Sequence, residues 1–289
     1  MRLWTDVGIE LPYGASGEVR LTCPRCSPSR RKSYVRCLAV NVDKGTWRCW
    51  HCAWAGGLYG HSQAPAMPPL SRPPAQPDER KRATLRRVWG EAGPITIGDP
   101  VHTYLHQRGI PLPLADRPTV LRYHPHLIYR HEDGQRTYHP AMVARVDNPS
   151  GCAVTLHRTY LTSDGRKAAV DTVKKLMSPA IAGATRGGAI RLYQAGDTLA
   201  IAEGIETALA VHLATGLPVW STICAGGMER LVVPAEVQLV VICADHDTAG
   251  LNAARALARR LLVEQRRVKI LTPDTPGADW ADLQEVGHG

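Results

Sequence analysis

Two short apolar runs, about 40 residues apart, set the frame for this chain. Thr198-Leu-Ala-Ile-Ala ends in Glu203-Gly204, and Leu239-Val-Val-Ile-Cys-Ala ends in Asp245-His246-Asp247. Each then passes into a helical pattern, Ile205-Glu206-Thr207-Ala208-Leu209 after the first and Thr248-Ala249-Gly250 after the second. Uninterrupted apolar runs of this length read as buried parallel strands. Open α/β sheets place their chemistry at the carboxyl edge of such strands, so Glu203, Asp245 and Asp247 are expected at one edge. Asp245 and Asp247 stand two apart and face the same side of an extended segment. Three carboxylates there repel one another unless a hard divalent cation with oxygen ligands, Mg²⁺ or Mn²⁺, joins them. The blander reading is that these acids cap helices or lie on the surface.

The surrounding pattern completes a domain over 191–289. A helix over 205–215 is closed by Gly216, and a strand follows over 218–223. The loop Cys224-Ala225-Gly226-Gly227 either lets backbone N–H groups approach a phosphate or makes a plain turn. A helix over about 249–264 carries Leu251, Ala254, Ala258, Leu261 and Leu262 at helical spacing, with Gly250 permitting close contact between helix and strand. A strand over 268–272 precedes the acidic segment Gly277-Ala-Asp279-Trp280-Ala-Asp282-Leu283.

The front of the chain has a different chemistry. Cys23-Pro-Arg-Cys26 and Cys49-Trp-His-Cys52 are separated by 22 residues. Two such knuckles offer four thiolates for a tetrahedral, structural Zn²⁺. The gap is slightly wide for a zinc ribbon, and one extra hairpin would absorb it. Strands are expected over 34–42 and 45–48, with a turn at Asp43-Lys44-Gly45. So small a segment has little core, and the metal would supply its folding energy. His51 can stand in for a cysteine ligand, and Cys37, inside a strand, reads as packing. Arg31, Trp47 and Trp50 sit among the basic and aromatic side chains that suit a single nucleic-acid strand. In the alternative reading the aromatics merely cover the metal.

Between these regions, 60–78 contains six prolines and no apolar periodicity, a semi-extended linker. A basic subdomain follows over 78–190. It starts with a helix capped by Asp78 and a second beginning at Asp99-Pro100, with Val101, Tyr104 and Leu105 inward. Alternating runs over 138–146 and 153–161, with turns at 148–151 and 163–165, read as an antiparallel meander. Charge is uneven: the net is +5 over 1–60, +8 over 61–190 and −4 over 191–289. A basic front beside an acidic, metal-type domain fits a polyanionic partner. No apolar run approaches the roughly 18 residues of a membrane span, and no signal-peptide pattern opens the chain. Eight cysteines without secretory features indicate a reducing compartment and metal binding before disulfides.

Glu-Gly after one strand and Asp-x-Asp-x-x-Gly after another resemble the toprim domain of bacterial-type primases, topoisomerases and some nucleases. The front, Cys-Pro-x-Cys followed by Gly45-Thr-Trp-x-Cys-x-x-Cys, resembles the zinc ribbon of phage and plasmid primases. Tyr104-Leu-His-Gln-Arg-Gly109-Ile110 and His157-Arg158-Thr159-Tyr160-Leu161 are similar to segments ahead of toprim in those proteins. The resemblance implies a multidomain chain: a small β zinc ribbon over 1–60, a linker over 61–77, an α+β subdomain over 78–190, and an α/β toprim domain with a mainly parallel sheet.

It further implies a DNA primase making short RNA primers from NTPs on single-stranded DNA, for phage, plasmid or mobile-element replication. Glu203, Asp245, Asp247 and Asp279, with Asp282, would be the Mg²⁺ or Mn²⁺ and catalytic residues. His157, Arg158, Lys174 and Lys175, with Arg31, Trp47 and Trp50, would hold nucleotide and template. A cytoplasmic setting in a prokaryotic or phage-infected cell is expected. No Gly-x-x-x-x-Gly-Lys-Ser/Thr loop occurs, so a replicative helicase would act in trans. The alternatives are a toprim nuclease and a non-catalytic single-strand-binding adaptor.

Overall fold

In the computed structural model, residues 3–28, 33–58 and 77–273 are described. The chain divides into two compact units, Met1–Pro73 and Pro74–Gly289.

The first unit is a four-stranded antiparallel sheet in the order β1-β2-β3-β4, formed by β1 (Glu18–Leu21), β2 (Leu38–Asn41), β3 (Thr46–Cys49) and β4 (Ala55–Gly57). The β2–β3 hairpin turns through Asp43-Lys44-Gly45 as the sequence indicates, with Leu38 opposite Cys49. It is the one hairpin between the knuckles among the described residues, so the expected extra hairpin is corrected. The additional length lies in 27–37, ahead of β2, where the described residues form no strand. Leu38, Val40, Trp47, Cys23, Cys26, Cys37 and Cys49 form the buried centre of the unit.

The second unit has two sheets. Strands β5 (Leu121–Arg130), β6 (Arg136–Asp147), β7 (Ala153–Tyr160) and β8 (Lys174–Leu176) form an antiparallel meander in that order. Helix α1 (Glu79–Glu91), capped by Asp78 accepting from the Lys81 N–H, packs Val88 against Leu127, Tyr129, Val143 and Leu156 on one face. Helix α2 (Pro100–Gln107) has Asp99 as its cap, accepting from Val101 N and His102 N. Its Tyr104 and Leu105 share a core with Met142 and Ala144 on the opposite face of the meander.

The other sheet contains β9 (Ile190–Arg191), β10 (Thr198–Ala202), β11 (Val219–Ser221), β12 (Leu239–Cys243) and β13 (Arg267–Leu271), in the order β13-β12-β10-β11-β9. The last four in sequence are parallel and only β9 runs antiparallel. Parallel order requires crossovers, which α3 (Ile205–Thr215), α4 (Ala225–Arg230) and α5 (Thr248–Val263) supply. Every residue of β11, and of β10 and β12 beyond their first, is buried, as helices on both faces require. The two sheets share apolar packing: Met142, Ala144 and Val146 lie in one cluster with Ala200, Ala202, Leu209 and Val241. No helix among the described residues is long and apolar enough to cross a membrane.

Candidate functional site

The sheet order creates the site. β10 lies between β11 and β12, and the chain leaves it in one direction for β11 and returns on the other side as β12. Crevices form at such switch points. Ala202 is in register with Cys243, so Glu203 and Asp245 emerge from adjacent strand ends. Gly250 lets α5 close on this edge, since a Cβ there would meet the Asp245 carbonyl oxygen at 2.8 Å.

Glu203 is partly buried, and its pKa is pushed up to about 7 by burial first and then by the charges of Asp245 and Asp247. The Ala225 N–H at the start of α4 and the charge of Lys174 favour its ionised form and limit the shift. Its backbone is fixed by the neighbouring strand end: Ser221 Oγ and Ile223 N donate to the Glu203 carbonyl at 2.8 and 2.9 Å. Ile223 adopts φ +72°, a conformation costly for a β-branched residue, so its surroundings hold it there. Asp247 is exposed and caps α5, its Oδ1 accepting from Gly250 N at 2.7 Å. The expected same-side pair is therefore divided in role: Asp245 lies at the strand end and Asp247 has one oxygen committed to the helix.

Gly226 and Gly227 lie within α4 and not in a loop or turn. Gly227 is needed there for packing, because a Cβ would approach the Thr222 carbonyl oxygen to 2.1 Å.

Glu206, read in the sequence only as part of a helix, is a buried member of the site. Its Oε2 receives Lys174 Nζ at 2.8 Å and its Oε1 receives the Tyr104 hydroxyl at 2.7 Å. Burial would raise its pKa, but Lys174 and Tyr104 override that and hold it at about 2. Glu206 thus anchors Lys174, on β8, at the edge of the parallel sheet.

The four basic residues of the meander are divided between its two faces. Arg158 pairs with Lys175 across β7–β8, and Thr159 with Lys174. Cross-strand partners share a face and neighbours alternate. Lys174 faces Glu206, whereas Lys175 lies 3.8 Å from the Tyr129 ring and Arg158 donates to the Tyr160 hydroxyl at 2.9 Å. Those tyrosines belong to the face covered by α1. Arg158 and Lys175 therefore lie on the opposite face of the meander from Lys174. His157 is 6% exposed and burial pushes its pKa to about 4. It shares the face of Lys174, being opposite Leu176 across β7–β8.

In the front unit the four expected sulfurs come together, Cys23, Cys26, Cys49 and Cys52 lying within 4.8 Å of one another. Cys26–Cys49 and Cys23–Cys52 are 3.7 and 3.8 Å apart. A tetrahedron with Zn–S bonds of about 2.3 Å has edges of about 3.8 Å, so the donors fit zinc. Trp47 is 7% exposed, packed against Trp4 and Trp54 at ring separations of 6.0 and 5.5 Å. Trp47 is thus part of the core of this unit. Trp50 is 60% exposed, with the guanidinium groups of Arg48 and Arg20 at 5.3 and 5.7 Å from its ring. Arg31, Asp279 and Asp282 lie outside the described residues.

Among the described residues, the cysteines are the one group of three or more potential ligands drawn this close. The carboxylates are more open, which suits Mg²⁺ or Mn²⁺ held by one or two carboxylates, with water and substrate phosphates completing the shell.

Residues 198–288 match the toprim domain family, and 79–187 match a domain of unknown function, DUF7146. No curated protein matches the chain in sequence. Among solved structures, the zinc-binding and RNA polymerase domains of the Aquifex aeolicus primase superpose with a TM-score of 0.52 at 15% identity. That match covers 98% of this chain and 79% of the other. The DnaG primase catalytic domain bound to single-stranded DNA gives 0.50 at 13% identity, covering 72% and 79%. The chain thus shares the fold of these two primase structures, and it combines a zinc-ribbon-type four-cysteine cluster near residues 23–52 with a toprim domain over 198–288.

Proposed function

We propose that this protein is a DNA primase, joining NTPs into short primers on single-stranded DNA. The observation that carries the reading is the placement of Glu203 and Asp245 on adjacent parallel strand ends, with Lys174 held beside them by Glu206. Glu203, Asp245 and Asp247 would hold Mg²⁺ or Mn²⁺, with Asp279 and Asp282 as further ligands. When bound, the metal supplies neutralisation of the triphosphate and of charge developing in line. Glu203 would act either as one of these ligands or as the general base that accepts the proton of a primer 3′-hydroxyl. Lys174, 41% exposed at its side chain, presents its remaining donors to a phosphate. No covalent nucleophile is required, since such transfer rests on positioning and electrostatics.

The ribbon would contact template through Trp50, Arg48, Arg20 and Arg31, and a replicative helicase would act in trans. Labelled NTPs incubated with a mixed-sequence single-stranded template and Mg²⁺ test this. New oligomers are expected. Shortening of the template would instead identify a nuclease, and binding without either product an adaptor.

A further inference from the structure

The ribbon contains a fifth sulfur at its metal site. Cys37 Sγ stands 3.7 Å from Cys49 Sγ and 3.9 Å from Cys26 Sγ. Cys26 and Cys49 are themselves 3.7 Å apart, so the three sulfurs form a nearly equilateral triangle. Each side matches the edge of about 3.8 Å expected between thiolates on one zinc ion. Cys37 is 9% exposed, and its register next to Leu38, the partner of Cys49 across β2–β3, fixes it against these ligands. Of the four knuckle cysteines, Cys23, Cys26 and Cys49 are buried and Cys52 is exposed.

We propose that Cys37 is a reserve zinc ligand, and that the ribbon has two overlapping ligand sets. Cys23, Cys26 and Cys49 are common to both, and the fourth position is taken by Cys52 or, when Cys52 is lost or blocked, by Cys37. In the first set Cys37 stays a thiol and donates its S–H to a neighbouring thiolate. In the second it loses that proton to solvent and binds the metal, which moves toward the buried edge of the cluster. No electrons are transferred in the exchange. The most accessible and therefore most easily alkylated or oxidised ligand is also the one with a substitute, so modification of Cys52 leaves the ribbon loaded.

The test uses the full-length chain. Wild type, Cys52→Ser, Cys37→Ser and the double variant are titrated with Co²⁺, and zinc content is measured after dialysis. Both single variants should keep one metal and the thiolate-to-cobalt absorption of a four-sulfur site. The double variant should drop to three-sulfur intensity, with metal affinity lower by at least about tenfold. A Cys52→Ser protein that already shows three-sulfur absorption and binds metal as weakly as the double variant would overturn the proposal. In case a serine variant fails to fold, zinc-loaded wild type is alkylated and the modified residues are mapped by mass spectrometry. Zinc should remain on molecules modified at Cys52. Its release in step with that modification would equally overturn the assignment. Neither readout depends on enzymatic activity.

Discussion

The cysteine cluster and the carboxylate edge solve opposite problems. In the ribbon, ligands from two knuckles and the β2–β3 hairpin converge until the sulfurs lie 3.7 to 3.8 Å apart across Cys26–Cys49 and Cys23–Cys52. Three of those four ligands are buried, so the site is closed and its geometry is the fold of the unit. At the sheet edge, Glu203 and Asp245 are positioned by β10 and β12, whose apolar burial holds the strands together without any ligand. There burial first, and then the like charges of Asp245 and Asp247, push the pKa of Glu203 up. A closed site is stabilised by its metal and an open one keeps positions for substrate. The contrast predicts that the first metal governs folding and the second governs chemistry.

The largest effect is expected in the ribbon. Cys49→Ser removes a ligand common to both proposed sulfur sets and should forfeit much of a zinc contribution of about 10 kcal/mol or more. Zinc analysis and the fluorescence of the Trp4–Trp47–Trp54 cluster should report lost metal and loss of structure over 3–58, with 77–273 intact.

Next in size, Glu203→Gln or Asp245→Asn should lower nucleotide incorporation by about 10³-fold, of the order seen when a charge-stabilising group is removed from an active site. Thermal unfolding of the metal-free variants should not fall.

A smaller effect is expected where the open site is braced. Lys174→Met leaves Glu206 buried without its cation and should cost about 2–3 kcal/mol, discounted because Lys174 is partly solvated. Glu206 has a depressed folded pKa of about 2, so this stabilisation is present above the unfolded value near 4.5 and is lost as pH falls from there towards 2. Denaturant midpoints of the two proteins should therefore converge in acid.

Glu203 has the opposite sign. Its folded pKa of about 7 exceeds the unfolded value of 4.5, so the folded state holds the proton more tightly and metal-free stability should decline as pH rises through that interval. Glu203→Gln should remove the decline, on the order of 2 kcal/mol, and Mg²⁺ should suppress it in the wild type. A flat metal-free profile would show that neither burial nor the neighbouring carboxylates raise the pKa of Glu203.

The smallest change concerns the ribbon surface. Trp50→Ala should weaken binding to a fluorescent single-stranded oligonucleotide by about 1 kcal/mol while leaving zinc content unchanged.

The same contrast governs what the sequence makes legible. The knuckles, β10 and β12 are encoded by neighbours in the chain: two cysteines three apart, or an unbroken apolar run ending in an acid. β5 escapes such a reading because Pro125 argues against a strand. It is tolerated because β5 is an edge strand whose register shifts between His124 and Leu127. α4 escapes because Gly226-Gly227 looks like a turn, and only the approach to Thr222 explains the second glycine. Glu206 is invisible as a site residue because its partners, Lys174 and Tyr104, are 32 and 102 residues away. Trp47 and Trp50 share one local pattern, and only tertiary burial separates the core residue from the exposed one.

Extension of a primer already annealed to template, compared between Cys49→Ser and Glu203→Gln full-length proteins, tests the division of labour most directly. Cys49→Ser should lose zinc and still extend the primer, and Glu203→Gln should keep zinc and extend nothing. Equal loss of extension in both proteins would contradict the separation of a folding metal from a catalytic one.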